Sequence, residues 1–375
     1  MREMLDRVER HISVTLEEMV ADNIRICEIP APSYYEEKRA MYVAARLRSE
    51  GVQNVHIDEV FNVHGVIAGF GGKKIMLAAH MDTVFPLDTD VSVRREADRL
   101  FAPGIRDNST GVAALICLAR LIRELSLVPP GDLILVATTC EEGLGDLRGM
   151  KKAMERHQGK IDYVIAIDGV LGNIVHLGIA SRRLKIVVNT PGGHSWGDFG
   201  VPSAIHSLAK IIAKIAEVKV RTDPRTTYNV GVIKGGTSVN TIAAHAEMLL
   251  DMRSTSRSEV EQLERKMRDI IENEAIPNRL AIEIEVVGDR PGGSIESSHP
   301  LVDIAKRALQ LIGVEGAFEA GSTDANVPLG LGIPAICIGI TEGEGAHRYD
   351  EFLKISPMIK GMVALFATVW GAASR

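Results

Sequence analysis

Lys73–Val84 reads KKIMLAAHMDTV: an apolar run from Ile75 to Ala79, then a histidine, then an aspartate two places further on. The stretch Lys74–Ala79 fits a strand buried on both faces, as in a parallel or mixed α/β sheet. Four more runs rich in Ile, Val, Leu and Ala have the same character: Val63–Phe70, Asp132–Thr139, Tyr163–Ile167 and Ile333–Gly339. Helical patterns alternate with them over Leu16–Ile29, Glu36–Glu50, Thr110–Leu125, Gly149–His157, His299–Leu311 and Pro357–Trp370. That alternation predicts an α/β fold with a mixed central sheet flanked by helices.

Between about Ile179 and Asp289 the rhythm changes. The pattern there is strand Arg183–Val188, helix Pro202–Ala216, strands Tyr228–Ile233 and His245–Arg253, helix Arg257–Ala275, and strand Ala281–Val287. This β-α-β-β-α-β order is the ferredoxin-like α+β arrangement, a complete small domain in itself. It reads as an insertion, residues 179–290, between the two parts of a first domain, residues 1–178 and 291–375.

A chain of 375 residues, 46% hydrophobic, suits two domains. With 49 acidic against 43 basic residues, the formal charge of −6 gives no general pull toward nucleic acid or an anionic membrane, so small solutes are the expected partners. Cys27, Cys117, Cys140 and Cys337 are widely spaced, without a C-x-x-C pair, which suits reduced thiols. The N-terminus is charged at helical intervals, and no run of ~18 apolar residues offers a membrane span, so a cytoplasmic location is expected.

The informative feature is where acidic and histidine residues fall relative to the strands. His80 follows KKIMLAA, Glu141 and Glu142 follow DLILVATTC, Asp168 follows YVIAI, and His347 lies in the loop after IPAICIGI. Ligand crevices of open α/β sheets lie at the carboxyl ends of the strands, so four segments deliver metal-type side chains to one edge. Asp107, in PGIRDNSTG, is a fifth candidate. Imidazole and carboxylate are ligands that borderline cations such as zinc accept. Asp82, two residues after His80, is on the same side of the chain and can support the second imidazole nitrogen. Singly, these residues also suit strand-end histidines, a solvated acidic loop, a turn and an N-cap. All five readings would then have to coincide on one edge of one sheet.

With these motifs in view, nearly the whole chain resembles the dinuclear zinc exopeptidases that include peptidase T, carboxypeptidase G and aminoacylase. AAHMDTV, GIRDNSTGVAAL, TTCEEGLGDLRG and GAHRYDEFL are similar to the family's metal motifs, in family order. The resemblance implies two divalent cations, zinc with cobalt or manganese as alternatives. It implies that Asp107 bridges them, that His80 and Asp168 complete one site, and that Glu142 and His347 complete the other. Glu141 would be the general base and Asp82 an outer support, with a cis peptide between Asp107 and Asn108. The inserted domain would act as a lid, in TPGGHSWGDFG, GVIKGGTSVNTIA and LLDMRS, supplying His194 to the carbonyl oxygen, Asn240 near the substrate and Arg253 for a substrate carboxylate. It would also join two chains as a homodimer, with His194 reaching the neighbouring site. Two departures are Ser109, where many relatives have lysine, and Ser203, where asparagine is usual. Aspartate at position 168 is similar to peptidase T-like members. The expected activity is therefore that of an aminopeptidase, removal of the N-terminal residue from di- or tripeptides. The alternatives are an N-acyl amino acid deacylase or carboxypeptidase, and, in a different class, a non-catalytic binding protein on the same scaffold.

Overall fold

Every residue of the strand Ile75–His80 is buried, and its side chains alternate between two apolar clusters: Ile75, Leu77 and Ala79 join one, Met76 and Ala78 the other. Leu133–Thr138 and Tyr163–Ile167 divide in the same way, with Leu133, Leu135 and Ile165 on the first side and Ile134, Val136 and Val164 on the second. An extended chain has a side-chain period of two, so an unbroken apolar run feeds a core on each face of its sheet. The first face is covered by the helices Arg2–Cys27, Glu37–Ser49, Ser109–Glu124, Pro300–Leu311 and Pro357–Ala373; Arg148–Arg156 and Asn326–Gly330 cover the second.

The computed structural model describes residues 2–278 and 280–374. It separates into two compact units, Met1–Gly178 with Ser294–Arg375, and Ile179–Gly293. In the first, the strands lie in the order Gln53–Ile57, Val63–Ile67, Leu133–Thr138, Ile75–His80, Tyr163–Ile167, Ala335–Ile338, Asn173–Gly178, with Ala317–Gly321 also pairing with the last. The four central strands are mutually parallel, Gln53–Ile57, Val63–Ile67 and Asn173–Gly178 join by antiparallel pairings, and Ala317–Gly321 pairs in parallel, so the sheet is mixed. The first helix starts at Arg2 rather than Leu16, because Leu5, Val8 and Ile12 bury an apolar stripe among its charges. Gln53–Ile57 and Ala317–Gly321, absent from the sequence reading, are polar or exposed edge strands without a buried run.

The second unit is a four-stranded antiparallel sheet in the order Thr226–Gly235, His245–Ser254, Ala180–Asn189, Ala281–Arg290. Every second residue of His245–Ser254 is buried, and Met248 and Leu250 share a core with Leu208 and Ile211 of helix Ala204–Ala216 and Met267 of helix Arg257–Asn278. The unit extends past residue 290 to Gly293, where the loop packs on its own first strand: a Cβ at Gly292 would lie 2.8 Å from that of Ala180. All four cysteines are free and buried. Among the described residues no helix is long and apolar enough to cross a membrane.

Candidate metal centre

Parallel pairing of the four central strands puts their carboxyl ends at one edge. His80 ends one of them, and Asp168, Glu141 and Glu142 follow two others. His347 comes from the loop after the fourth, with a left-handed backbone at φ 65°. Asp107 arrives from the turn before helix Ser109–Glu124. Asn108 caps that helix by accepting the Gly111 N–H at 3.0 Å, and its Nδ2 donates to the Ile167 carbonyl at 2.7 Å, tying the turn to the neighbouring strand. The Asp107–Asn108 peptide is cis.

These residues converge. His80 Nε2 lies 3.2 Å from Asp107 Oδ1 and 3.7 Å from Asp168 Oδ2. His347 Nε2 lies 3.3 Å from Asp107 Oδ2 and 2.9 Å from Glu142 Oε1. Asp107 thus turns one oxygen toward each histidine. Ligand atoms of His80, Asp107 and Asp168 lie within 4.8 Å of one another, as do those of Asp107, Glu142 and His347, and those of His80, Glu141 and Glu142.

The electrostatics are those of a cation site. The Asp82 main-chain carbonyl is 3.1 Å from His80 Nδ1 and takes a proton there, which leaves a lone pair on Nε2. Nε2 is shielded from solvent and, despite its 3.2 Å approach to Asp107, makes no hydrogen bond. A lone pair facing two carboxylates is repulsive unless a cation or a proton sits between them. Burial pulls the His80 imidazole down, but Asp107, Asp168 and Asp82 hold it well above its ordinary value. Asp107 and Glu142 push His347 up to about 10. Burial resists ionisation of Asp107, yet the two imidazoles hold it well below the usual carboxylate range. Burial raises Glu142. The donor set, imidazole and carboxylate in two groups sharing Asp107, fits a pair of divalent cations.

The support of Asp82 differs from the sequence expectation. Its carboxylate is 3.6 Å from His80 Nδ1, beyond hydrogen-bond range, because both oxygens are engaged elsewhere. Oδ1 accepts the Glu141 N–H at 2.8 Å, and Oδ2 accepts the Glu142 N–H at 2.9 Å and the Ser33 hydroxyl at 2.6 Å. Asp82 therefore holds the main chain of Glu141 and Glu142 directly. Glu351 was missed: buried, it accepts the N–H groups of Gly104 at 3.0 Å, Arg106 at 2.9 Å and Asp107 at 2.8 Å, and fixes the Asp107 turn. Burial pushes its carboxyl up to about 7. Its one sequence signal is a carboxylate four residues after His347 in an otherwise polar loop.

In the second unit, His194 and Asn240 lie together. His194 pairs with Thr241 across a two-residue ladder, and the Ser195 N–H donates to the Asn240 carbonyl at 3.0 Å. His194 Nδ1 accepts the N–H groups of Trp196 at 3.2 Å and Gly197 at 3.3 Å, so the neutral ring carries its proton on Nε2. Arg253 is remote from both. Asn189, which leads toward His194, pairs with His245, whereas Arg253 pairs with Ser181 near the other end of that ladder. Eight residues of strand at ~3.4 Å each separate them by ~27 Å. Arg253 Nε donates to Asp251 at 2.7 Å.

A succinyl-diaminopimelate desuccinylase of Corynebacterium glutamicum is 27% identical over 348 residues, 87% of this chain and 89% of its own. The structure of aminopeptidase PepT from Bacillus cereus matches with a TM-score of 0.77 at 24% identity, over 96% of this chain and 99% of its own. That of the dipeptidase Dug1p from Saccharomyces cerevisiae matches with a TM-score of 0.83 at 14% identity, over the full length of both. At these identities the two structures establish a shared fold. The sequence pattern of one family, however, runs through residues 76–370, from the His80 strand to the last helix and past every residue of the metal centre. The chain belongs to peptidase family M20/M25/M40.

Proposed function

We propose that this hydrolase is a dinuclear metallopeptidase that removes the N-terminal residue of di- or tripeptides. The observation that carries the reading is the division of Asp107, one oxygen toward His80 and the other toward His347. Two divalent cations, zinc with cobalt or manganese as substitutes, would be held by His80, Asp107 and Asp168 and by Asp107, Glu142 and His347; bound there, they supply Lewis acidity toward a carbonyl and toward water. Glu141 is buried beside His80 and Glu142, with its main chain held by Asp82. In this reading its carboxylate takes a proton from the attacking water and delivers it to the leaving amine. His194 donates from Nε2 to the charge developing on the carbonyl oxygen. Asn240 and Arg253 contact the substrate. Four buried free thiols support a cytoplasmic location.

The lid supports a dimeric arrangement. A tripeptide spans at most ~11 Å, well short of the ~27 Å between Arg253 and the strand end from which the chain runs on to the His194 turn. Both can meet one small substrate only when they come from two chains, so His194 is assigned to the neighbouring site of a homodimer. The relative among succinyl-diaminopimelate desuccinylases favours a second reading, an N-acyl amino acid deacylase or carboxypeptidase with the same machinery.

The test is digestion of unblocked di- and tripeptides and of N-acetyl amino acids by zinc-replete protein, read by mass spectrometry. Loss of the N-terminal residue from unblocked peptides is expected. Turnover of the acetylated compounds alone moves the assignment to the second reading, and inertness toward all of them favours a binding protein. Glu141→Gln should lower kcat at least ~10²-fold with metal content unchanged. Loss of metal instead would mean that Glu141 and Glu142 exchange roles.

A further inference from the structure

The loop that carries Glu141 and Glu142 has a backbone that needs outside support. Within residues 140–147, Cys140, Gly143, Asp146 and Leu147 all adopt the left-handed conformation, at φ 55°, 48°, 57° and 58°. Three of these carry a side chain, and such residues persist only where their surroundings over-determine them. Asp82 holds the N–H groups of Glu141 and Glu142 from within. The segment Ser33–Glu36 holds the same loop from its other side. Buried Glu36 accepts the Cys140 N–H at 2.9 Å, the Ser33 hydroxyl lies 3.3 Å from the Glu142 carbonyl, and the Tyr34 hydroxyl donates to the Leu144 carbonyl at 2.9 Å.

Tyr34 is the unexpected member of that segment. The Tyr35 N–H donates to the Pro32 carbonyl at 2.8 Å and closes a four-residue turn with Tyr34 in its third position, at φ 75°. Glycine is the residue favoured there, because a Cβ is a steric burden at positive φ. Tyr34 is also 52% exposed, so burial of its ring does little to offset the strain. Its contacts instead reach one stretch of chain. The hydroxyl meets Leu144 in the short turn Gly143–Gly145, and the ring lies 5.8 Å from the guanidinium of Arg148, where the helix Arg148–Arg156 begins. In that short turn the Gly145 N–H donates to the Glu142 carbonyl at 2.8 Å, and a Cβ at Gly145 would lie 2.7 Å from the Cys140 carbonyl oxygen. The loop is thus closed tightly on itself, and a displacement of Leu144 is passed to the two glutamates.

We infer that Tyr34 is a positioning residue for Glu141, a latch between the turn Pro32–Tyr35 and the turn Gly143–Gly145 that fixes where the Glu141 carboxylate stands. This assignment rests on the hydrolase reading for what Glu141 does. A base acts only within hydrogen-bond reach of the proton it takes, so a shift of even ~1 Å in its anchor lowers the rate.

The experiment compares wild type, Tyr34→Phe and Tyr34→Gly, alone and in a Glu141→Gln background, on whichever unblocked peptide or N-acetyl amino acid is hydrolysed. Each protein is zinc-loaded, its zinc content is measured, and it is assayed at a temperature at which it is folded. Phenylalanine removes only the hydroxyl, whereas glycine removes the ring and relieves the turn. Both should lower kcat at least ~5-fold, with KM and zinc content unchanged. In the Glu141→Gln background neither should lower kcat further, because the group they position is gone. An unchanged kcat per zinc-loaded site overturns the inference. So does an equal loss in both backgrounds, or a loss that follows zinc content. Hydrogen exchange at the amides of residues 140–145 separates this from failure of the hydrolase reading. If nothing is hydrolysed, faster exchange there in Tyr34→Phe, with the rest of the chain unchanged, supports the latch, and unchanged exchange overturns it.

Discussion

Asp82 has no surface exposure, and three donors converge on its two oxygens: the main-chain N–H groups of Glu141 and Glu142, and the Ser33 hydroxyl. Asparagine would keep the volume but turn an NH2 group toward one of those donors. Asp82→Asn is expected to lose ~1–3 kcal/mol of stability, read by urea denaturation, and to lower kcat by more than that loss accounts for at a temperature where the variant is folded. An unchanged kcat would remove Asp82 from the positioning of Glu141. Asp58 offers a residue-scale test of pH dependence outside the centre. It accepts His64 Nε2 at 2.9 Å, Asn62 Nδ2 at 2.9 Å and the Val60 N–H at 3.0 Å. Burial alone would raise its carboxyl, but those partners hold it below the ordinary value. A depressed folded-state pKa contributes stability above the unfolded value of ~3.9 that disappears as the pH falls through the folded value. The stability gap between parent and Asp58→Asn should therefore be full near neutrality and close below pH ~4. A gap independent of pH would contradict an ionised Asp58 carboxylate in the folded protein.

At the scale of elements, local propensity and packing oppose each other in the last helix, Pro357–Ala373. Alanine is favoured over glycine in a helix by ~1 kcal/mol. A Cβ at Gly361, however, would sit 1.7 Å from the Ile340 carbonyl oxygen. Gly361→Ala should therefore destabilise despite its better propensity, and a raised melting temperature would show that the helix can move off the strand end. The same contrast explains what was legible beforehand. Tyr163–Ile167 was read with its observed ends because a two-sided apolar strand carries its burial in its composition. Ala317–Gly321, largely exposed, carries no such imprint. The metal-type residues could be listed because each follows a legible strand. Glu351 could not, because it works through backbone N–H groups.

At the scale of the molecule, the proposed exchange of His194 between chains has a direct test. Mixing His194→Ala with Glu141→Ala under conditions that exchange subunits places, in each mixed dimer, one site with both residues intact. Activity should reappear, approaching that of one wild-type site, or half that of a wild-type dimer, per mixed dimer. Continued inactivity despite demonstrated exchange would return His194 to its own chain.

The strand order has a further consequence, in time rather than space. Ala335–Ile338 lies between Tyr163–Ile167 and Asn173–Gly178, and His347 follows it in sequence. A ribosome that has produced everything through residue 330 has therefore released a second unit able to close on its own core, but a first sheet with one of its inner strands missing. The chain departs for the second unit and returns at neighbouring points, where the Ile295 N–H donates to the His176 carbonyl at 3.1 Å. That pairing can hold the two ends together while the gap waits. A vacant position between two strand edges is a template for any extended segment. Nascent chains stalled before residue 335 should be captured by chaperones and retain no divalent metal, and both properties should change together once residue 347 has cleared the exit tunnel.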